Sequence, residues 1–312
     1  VRGSMSYLKS KILIQILRSA LLLACIFAAI SSGQSCSKKP SDGDDDTLKL
    51  PPWNQMDIDL HAAWSPDGSK LLYARYPADG ARDTSWAWGG FIRDIASGKD
   101  TCIWPNVKFN GFSWSPDGSR IAVVQNALIF VFDFAADSIT QITFENRNFS
   151  VAWSPCGDKL VFFVKTNKGG MFVYDFDVDS IVHVAGRVGA NAGDWMSNCS
   201  TLVLLDSCMY TECGVMGYNL YTDSLWVITR MEGYKREISL SPDGETILFG
   251  VGNDIWAVRV LGGDPYRLTT EGGGYADWSP DGKWIVYTKV DRWNGYLWLM
   301  RPDGSEKHQI TF

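Results

Sequence analysis

Short runs of apolar and β-branched residues recur along residues 51–312, and a similar polar phrase stands before one run in each repeat. The phrase is WSPDG at residues 64–68, 114–118 and 278–282, WSPCG at 153–157, WMSNC at 195–199 and LSPDG at 240–244. After the apolar run that follows each copy come two further short runs, separated by a loop and a turn. The pattern predicts six units of about four β-strands each.

The polar phrase has the composition of a tight turn between two strands. Proline presets φ at the first corner, aspartate bonds a nearby backbone N–H, and glycine adopts the positive φ that other residues resist. We expect the Trp before the phrase to pack against the neighbouring unit as part of the core. The fourth copy lacks the proline and the glycine, and the fifth has Leu240 in place of Trp, so these two hairpins are expected to be the least well specified.

Six units of about 44 residues, each with four strands, predict an all-β protein: a six-bladed β-propeller of four-stranded blades over residues 51–312. The last two units also contain DIW at residues 254–256, RLT at 267–269, LWLM at 297–300 and QIT at 309–311. These motifs resemble the WD-like propeller repeats of the TolB family. The resemblance implies the propeller fold but speaks weakly about role, because one fold serves many functions.

Residues 1–36 follow the order of an export signal. Lys9, Lys11 and Arg18 precede an apolar run over residues 20–30, and small polar residues follow it. The run is about half the roughly 20 residues that a membrane-spanning helix needs. Cys36 then opens a flexible polar tether over residues 37–50, in a pattern that resembles a bacterial lipoprotein. We expect an exported protein of the cell envelope, periplasmic or held at the outer membrane by a lipid on Cys36, with simple cleavage and secretion as the alternative.

The charge balance and the motifs narrow the function. Residues 51–312 contain 22 basic and 31 acidic residues, and this acidic body argues against nucleic-acid binding, which needs a dense basic footprint. Membrane contact is expected only through the N-terminal lipid or signal. The three histidines, His61, His183 and His308, fall on strands at different distances from the ring centre, so we expect no metal site and no cofactor. The sequence has no nucleophile elbow, zinc-protease motif or phosphate-binding loop.

Five cysteines lie in the predicted propeller, and in an exported protein some of them are expected to pair. Cys208 and Cys213 flank one predicted loop and form the most plausible disulfide on the sequence alone. The odd count leaves at least one thiol outside any pair within the propeller.

The two faces of a propeller differ in the chain segments that they carry. The loops after the second strands and the connections between blades share one face, here called the connection face. The remaining turns share the other, the turn face. Long segments on the connection face are the natural place for function. Those segments are residues 76–88, 165–170, 206–217, 231–236 and 289–295.

These segments contain a mixture of aromatic and basic side chains on an acidic body. The candidate binding residues are Arg82, Trp86, Trp88, Tyr210, Tyr234, Lys235, Arg236, Arg292 and Trp293. Aromatic and arginine side chains supply much of the energy of protein interfaces. The sequence therefore predicts a non-catalytic binding or scaffold module for an envelope protein. Polysaccharide stacking on Trp86, Trp88 and Trp293 is the alternative, and a propeller-type polysaccharide lyase or hydrolase is a further one.

Overall fold

The computed structural model describes residues 57–77, 89–105, 107–145, 148–164, 170–184, 190–206, 213–233, 235–291 and 294–312. Within these ranges the chain forms 24 β-strands and no helix, so the all-β prediction is confirmed. It follows that the described residues hold no helix able to cross a membrane.

Four sheets contain four strands each, and the strands of each sheet follow one another along the chain. The first of these comprises β5 (Phe109–Trp114), β6 (Arg120–Gln125), β7 (Leu128–Asp133) and β8 (Ser138–Gln141), and the second β9 (Asn148–Trp153), β10 (Lys159–Val164), β11 (Met171–Asp175) and β12 (Ser180–Val184). The third comprises β13 (Ala190–Trp195), β14 (Thr201–Asp206), β15 (Cys213–Asn219) and β16 (Ser224–Met231), and the fourth β17 (Lys235–Leu240), β18 (Thr246–Val251), β19 (Asp254–Arg259) and β20 (Tyr266–Arg267).

The remaining eight strands form one sheet. It contains β1 (Asp57–Trp64), β2 (Lys70–Pro77), β3 (Gly89–Asp94), β4 (Asp100–Pro105), β21 (Gly274–Trp278), β22 (Ile285–Asp291), β23 (Asn294–Met300) and β24 (His308–Gln309). The prediction of separate four-stranded blades therefore holds for four sheets. The first four and the last four strands of the chain form a single sheet instead of two.

A parallel contact joins the two halves of the eight-stranded sheet. β1 pairs with β23, with Ile58 opposite Gly295. A Cβ atom on Gly295 would lie 2.7 Å from Cγ2 of Ile58, so glycine is needed for the two strands to approach this closely. The contact thereby joins a strand of the first repeat to a strand of the last repeat.

The first strand of each unit lies at the centre of the molecule. β1, β5, β9, β13, β17 and β21 contact one another in that order, and β21 contacts β1. These strands surround a central channel in a β-propeller arrangement. Each of them ends at its polar phrase, so it runs from the connection face to the turn face.

The core lies between consecutive sheets, in six apolar clusters. One cluster joins Leu72 and Trp104 to Phe112 of the next sheet. Second strands such as β6 and β14 are buried almost throughout, because neighbouring sheets cover both of their faces. This explains their continuous apolar runs.

The Trp residues of the phrase belong to this core, as predicted. Trp64, Trp153, Trp195 and Trp278 are each less than 9% exposed. Burial of each ring contributes at most about 4–6 kcal/mol before the entropic cost of folding is subtracted. The repeated Trp is therefore a main source of the cohesion between sheets.

The polar phrase forms the predicted tight turn. In the first copy the N–H of Gly68 donates to the carbonyl of Ser65 over 2.8 Å, and Gly68 has a φ of +70°. The carboxylate of Asp67 accepts the Ser65 hydroxyl and the N–H of Ser69. Equivalent backbone hydrogen bonds close the turns of the other five copies.

A disulfide reinforces the divergent fourth turn. Cys199 in this turn is bonded to Cys156 in the third turn, with the two Cα atoms 6.0 Å apart. The fourth turn also keeps the usual closing bond, from Cys199 N–H to the carbonyl of Met196. The hairpin that was expected to be poorly specified is thus cross-linked to its neighbour.

The two cysteines occupy positions that lie next to each other in consecutive turns. At three other junctions the proline of one turn lies near the glycine of a neighbouring turn: a Cβ atom on Gly157, for example, would be 3.4 Å from Cγ of Pro116. The predicted pairing of Cys208 with Cys213 remains a prediction, because Cys208 lies outside the described residues.

The disulfide is expected to stabilise the fold. It closes a loop with a sequence separation of 43, so replacing both cysteines (Cys156→Ala with Cys199→Ala) should lower the free energy of unfolding by about 2–4 kcal/mol. Urea unfolding without reductant measures this change. Adding reductant should destabilise the wild type to a similar degree and leave the double variant unchanged; equal midpoints for the two oxidised proteins would contradict the prediction.

Candidate functional site

Two of the nine predicted binding residues lie in the described part of the chain. The candidates outside it are Arg82, Trp86, Trp88, Tyr210, Tyr234, Arg292 and Trp293, and Cys36 lies outside it too. Lys235 and Arg236 begin β17 and line the central channel. The structure therefore brings these two residues to the ring centre.

Lys235 serves the framework. Its side chain is almost fully buried, and its ammonium group donates to the carbonyls of Met231 and Gly233. Burial lowers the pKa of Lys235, and the negative charge of Asp206 opposes this change. The lysine thus ties the connection between β16 and β17 and offers a partner little surface.

Arg236 is partly exposed at the channel. Its guanidinium donates to the carbonyl of Gly252, in the turn between β18 and β19. The side chain therefore reaches from the first strand of its sheet to the turn between the second and third strands. This arrangement leaves a positive charge beside the channel.

The channel encloses a cavity of about 520 Å³. Each of the six first strands contributes at least one polar or ionisable residue to its wall. Among these residues are His61, Asn110, Ser150, Asp194, Glu237 and Tyr275. The cavity extends from the prolines of the first and sixth turns, Pro66 and Pro280, to Arg236.

A β-bulge in each first strand sets the direction of the side chains in the channel. Between Arg236 and Ile238, for example, Glu237 is an extra residue without a partner on β18. The bulges place His61, Glu237 and Tyr275 in the left-handed region, with φ of 56°, 48° and 53°. Each such conformation costs on the order of 1 kcal/mol for a residue with a side chain, and strain of this kind is often found at functional sites.

His61, Glu237 and Tyr275 occupy the same place in three consecutive repeats of the ring, three residues before the first residue of the phrase. We call these three residues the channel arc. The other three repeats have small residues at this place, namely Gly111, Ser150 and Ala192. At this place one side of the channel therefore carries large polar side chains, and the opposite side carries small residues.

The members of the channel arc contact one another. Oε2 of Glu237 accepts the backbone N–H of Tyr275 over 2.6 Å, and the rings of Tyr275 and His61 meet edge to face with centroids 4.3 Å apart. Burial raises the pKa of Glu237 and Tyr275. Burial also lowers the pKa of His61 to about 4, so its imidazole is uncharged at neutral pH.

The other two carboxylates of the channel fasten neighbouring sheets. Oδ2 of Asp194 accepts the N–H of Leu240 over 2.8 Å. Oδ2 of Asp277 accepts the N–H of Trp64 over 3.1 Å, and its Oδ1 accepts the hydroxyl of Ser239 over 2.9 Å. Burial raises the pKa of both acids, that of Asp277 to about 6. These residues hold the ring together at the channel wall.

The histidines are separated, as the sequence predicted. His61 lies on a first strand, whereas His183 and His308 lie on the outer strands β12 and β24. Among the described residues, no group of three or more His, Cys, Asp or Glu side chains is placed to hold a metal ion.

Two solved structures with this architecture are TolB proteins. A structure described as TolB from Agrobacterium tumefaciens matches with a TM-score of 0.63 and 20% identity, over 70% of this chain and 87% of that chain. TolB from Acinetobacter baumannii matches with a TM-score of 0.62 and 17% identity, over 83% of this chain and 64% of that chain. The fold is a TolB-type β-propeller.

The TolB-type fold also occurs in a protein named as an enzyme. Hydrazine synthase from Kuenenia stuttgartiensis matches with a TM-score of 0.59 and 15% identity, over 84% of this chain and 81% of that chain. No protein-family model matches the sequence, and no curated protein sequence matches it. Function must therefore be argued from the site and not from the fold.

The sequence-based prediction includes Lys235 and Arg236 of the channel wall but not the channel arc. The available signal was the position three residues before the phrase, where Glu237, Tyr275 and His61 replace the small residues of the other repeats. Long loops are the usual carriers of function, and a position within a first strand does not stand out by that rule.

His61 and Asp277 should have opposite effects on stability between pH 4 and pH 6. The pKa of Asp277 is raised to about 6, so the folded chain binds this proton more tightly and stability falls as pH rises. The pKa of His61 is lowered to about 4, so the unfolded chain binds more protons and stability rises with pH. Each slope has a limit of about 1.4 kcal/mol per pH unit.

Single variants should separate the two effects in urea unfolding measured from pH 4 to pH 7. Relative to the wild type, His61→Gln should make stability fall more steeply with rising pH, and Asp277→Asn should make it rise. His308→Gln, on an exposed outer strand, is the control and should leave the profile unchanged. Equal slopes for the two channel variants would contradict these assignments.

Proposed function

We propose that the protein is an exported binding module that recognises a protein partner at its connection face and carries out no reaction of its own. A lipid on Cys36 holds it at the cell envelope, and the eight-stranded sheet counts as two blades of a six-bladed ring. The observation that carries the proposal is the channel arc, because its three ionisable side chains are held in an unfavourable backbone conformation beside an open cavity.

The two faces of the propeller differ in the length of their connecting segments, and this difference supports the proposal. The turn face consists of short turns with satisfied hydrogen bonds, and a disulfide links two of them. The sequence assigns the long segments to the connection face, and those segments contain all nine predicted binding residues. A partner seated on this face would cover the end of the channel at which Arg236 lies.

The use of the buried charges supports binding over catalysis. The carboxylate oxygens of Asp194 and Asp277 accept hydrogen bonds that hold the first strands in place. Lys235 spends its ammonium group on backbone carbonyls. These three buried charged groups therefore have framework roles.

Arg236 should contribute to partner capture. The full chain, immobilised and exposed to a detergent extract of the envelope, should retain a partner that Arg236→Ala binds at least about tenfold less well, since arginine is a frequent hot spot. Arg259→Ala is the matched control, because Arg259 is exposed at the far end of β19. Equal capture by wild type and Arg236→Ala would contradict the assignment of this face.

The salt dependence of the same capture separates a protein partner from a polysaccharide. An interface assisted by charge should weaken when the salt concentration is raised, whereas stacking of sugar rings on aromatic side chains should persist. If polysaccharide but no protein partner is retained in high salt, the result would favour carbohydrate binding over protein binding.

Cys36 should determine membrane attachment. Expressed from its own signal, the wild type should be found in the membrane fraction with the added mass of a lipid on the mature chain, and Cys36→Ala should be soluble and unmodified. Intact-mass analysis of both fractions measures this. A soluble, unmodified wild-type chain would end the proposal of a lipid anchor.

A further inference from the structure

We propose that the channel arc is a receptor for the cationic head of a lysine or arginine side chain that the protein partner inserts into the channel. The inference rests on the proposed function, and it adds the chemical group that the site recognises. It is carried by four features of the channel: a carboxylate with an available oxygen, two aromatic rings beside it, open space opposite it and an acidic surrounding body.

Glu237 supplies the carboxylate. Its Oε2 accepts the N–H of Tyr275, and no donor among the described residues reaches its other oxygen. Asp194 and Asp277 differ, because hydrogen bonds from backbone N–H groups or a hydroxyl occupy both oxygens of each carboxylate. The positive charge of the adjacent Arg236 favours the charged form of Glu237, but its guanidinium donates to the carbonyl of Gly252 and not to the Glu237 carboxylate. Glu237 therefore retains acceptor capacity at the cavity.

The position of Glu237 is costly without a ligand. The residue has a φ of 48°, and burial disfavours its charged form. A cation that enters the cavity would restore the favourable interaction that the carboxylate loses on leaving water. Bound cations and charge-assisted hydrogen bonds are the usual compensation for a carboxylate in such a place.

The rings of His61 and Tyr275 complete a suitable wall. Their centroids lie 4.3 Å apart, and a Lys or Arg head placed over an aromatic face is attracted by the electron density of the ring. Because the imidazole of His61 is uncharged at neutral pH, it does not repel a cation. A phosphate or carboxylate ligand would instead meet the charge of Glu237 directly.

The rest of the channel is shaped to admit a long side chain. Gly111, Ser150 and Ala192 line the channel on the three first strands that do not carry the channel arc. The cavity of about 520 Å³ is within the range of sites that hold small ligands. Within residues 51–312 acidic residues outnumber basic ones, and the resulting negative charge favours the approach of a basic partner.

His61 offers a direct spectroscopic reading of occupancy. The protein has three histidines, so the imidazole signals of His61 can be assigned in nitrogen-15 NMR spectra as those missing from His61→Gln. The probes are the blocked pentapeptide Gly-Gly-Lys-Gly-Gly, the same peptide with norleucine in place of lysine, butylammonium and a methyl glycoside. They are titrated into the full chain at neutral pH.

We expect a saturable shift of the His61 signals with the lysine peptide and none with the norleucine peptide or the glycoside. Glu237→Gln should weaken the lysine peptide at least about tenfold, because it removes the charge while keeping an acceptor for Tyr275 N–H. Glu271→Gln is the matched control, since this exposed carboxylate pairs with Lys289 outside the channel. Ser150→Leu, which fills the opposite side, should also block binding while leaving Glu237 intact.

Several outcomes would overturn the inference. They are the absence of a saturable shift with the lysine peptide, equal shifts with the norleucine peptide, an unchanged affinity in folded Glu237→Gln, or a response to the glycoside alone. Butylammonium binding as tightly as the peptide would assign the site to a free amine instead of a polypeptide side chain. Binding of the lysine peptide without capture of a protein partner would support this site and contradict the proposed function. Capture of a protein partner without binding of the lysine peptide would support the proposed function and contradict this site.

Discussion

Closure of the ring is the constraint on which the rest of the structure depends. A first strand at the channel is flanked by first strands of two other units, and its polar backbone groups at the buried Trp position need partners across those junctions. At three junctions the side chain just before the phrase of one repeat accepts the N–H of the phrase of the next repeat. The residues that accept are Ser113, Asp194 and Asp277.

Two of the three remaining junctions show how sequence differences between repeats complement one another. Alanine stands before the phrase in the first and third repeats and offers no acceptor, and there the indole of the next Trp donates to the alanine carbonyl: Trp114 to Ala63 over 3.3 Å and Trp195 to Ala152 over 3.1 Å. Leu240, which has no indole, follows Asp194, where a carboxylate already makes the bond. The loss of Trp in the fifth repeat is therefore tolerated where the indole is not needed for hydrogen bonding.

The channel arc is the place where local preference and global structure disagree. Glycine suits a left-handed bulge better than His, Glu or Tyr does, yet the three repeats that carry these residues there are neighbours in the closed ring. Rules of local structure are most often broken at functional sites, because the surrounding fold can hold what the segment alone would not adopt. Asp194 and Asp277, beside the channel arc, are buried carboxylates of a different kind, because their hydrogen bonds hold the first strands in place.

The repeated units, their strands, the tight turns and the buried Trp could all be predicted from the sequence, because each depends on short-range chemistry that recurs six times. The channel arc could have been found by comparing the repeats position by position, but its meaning depends on a bulge that turns Glu237 towards the channel. The disulfide between Cys156 and Cys199 and the parallel contact of Ile58 with Gly295 could not be derived locally. Both depend on which turns and strands become neighbours when the ring closes, a long-range property that spacing along the chain does not encode.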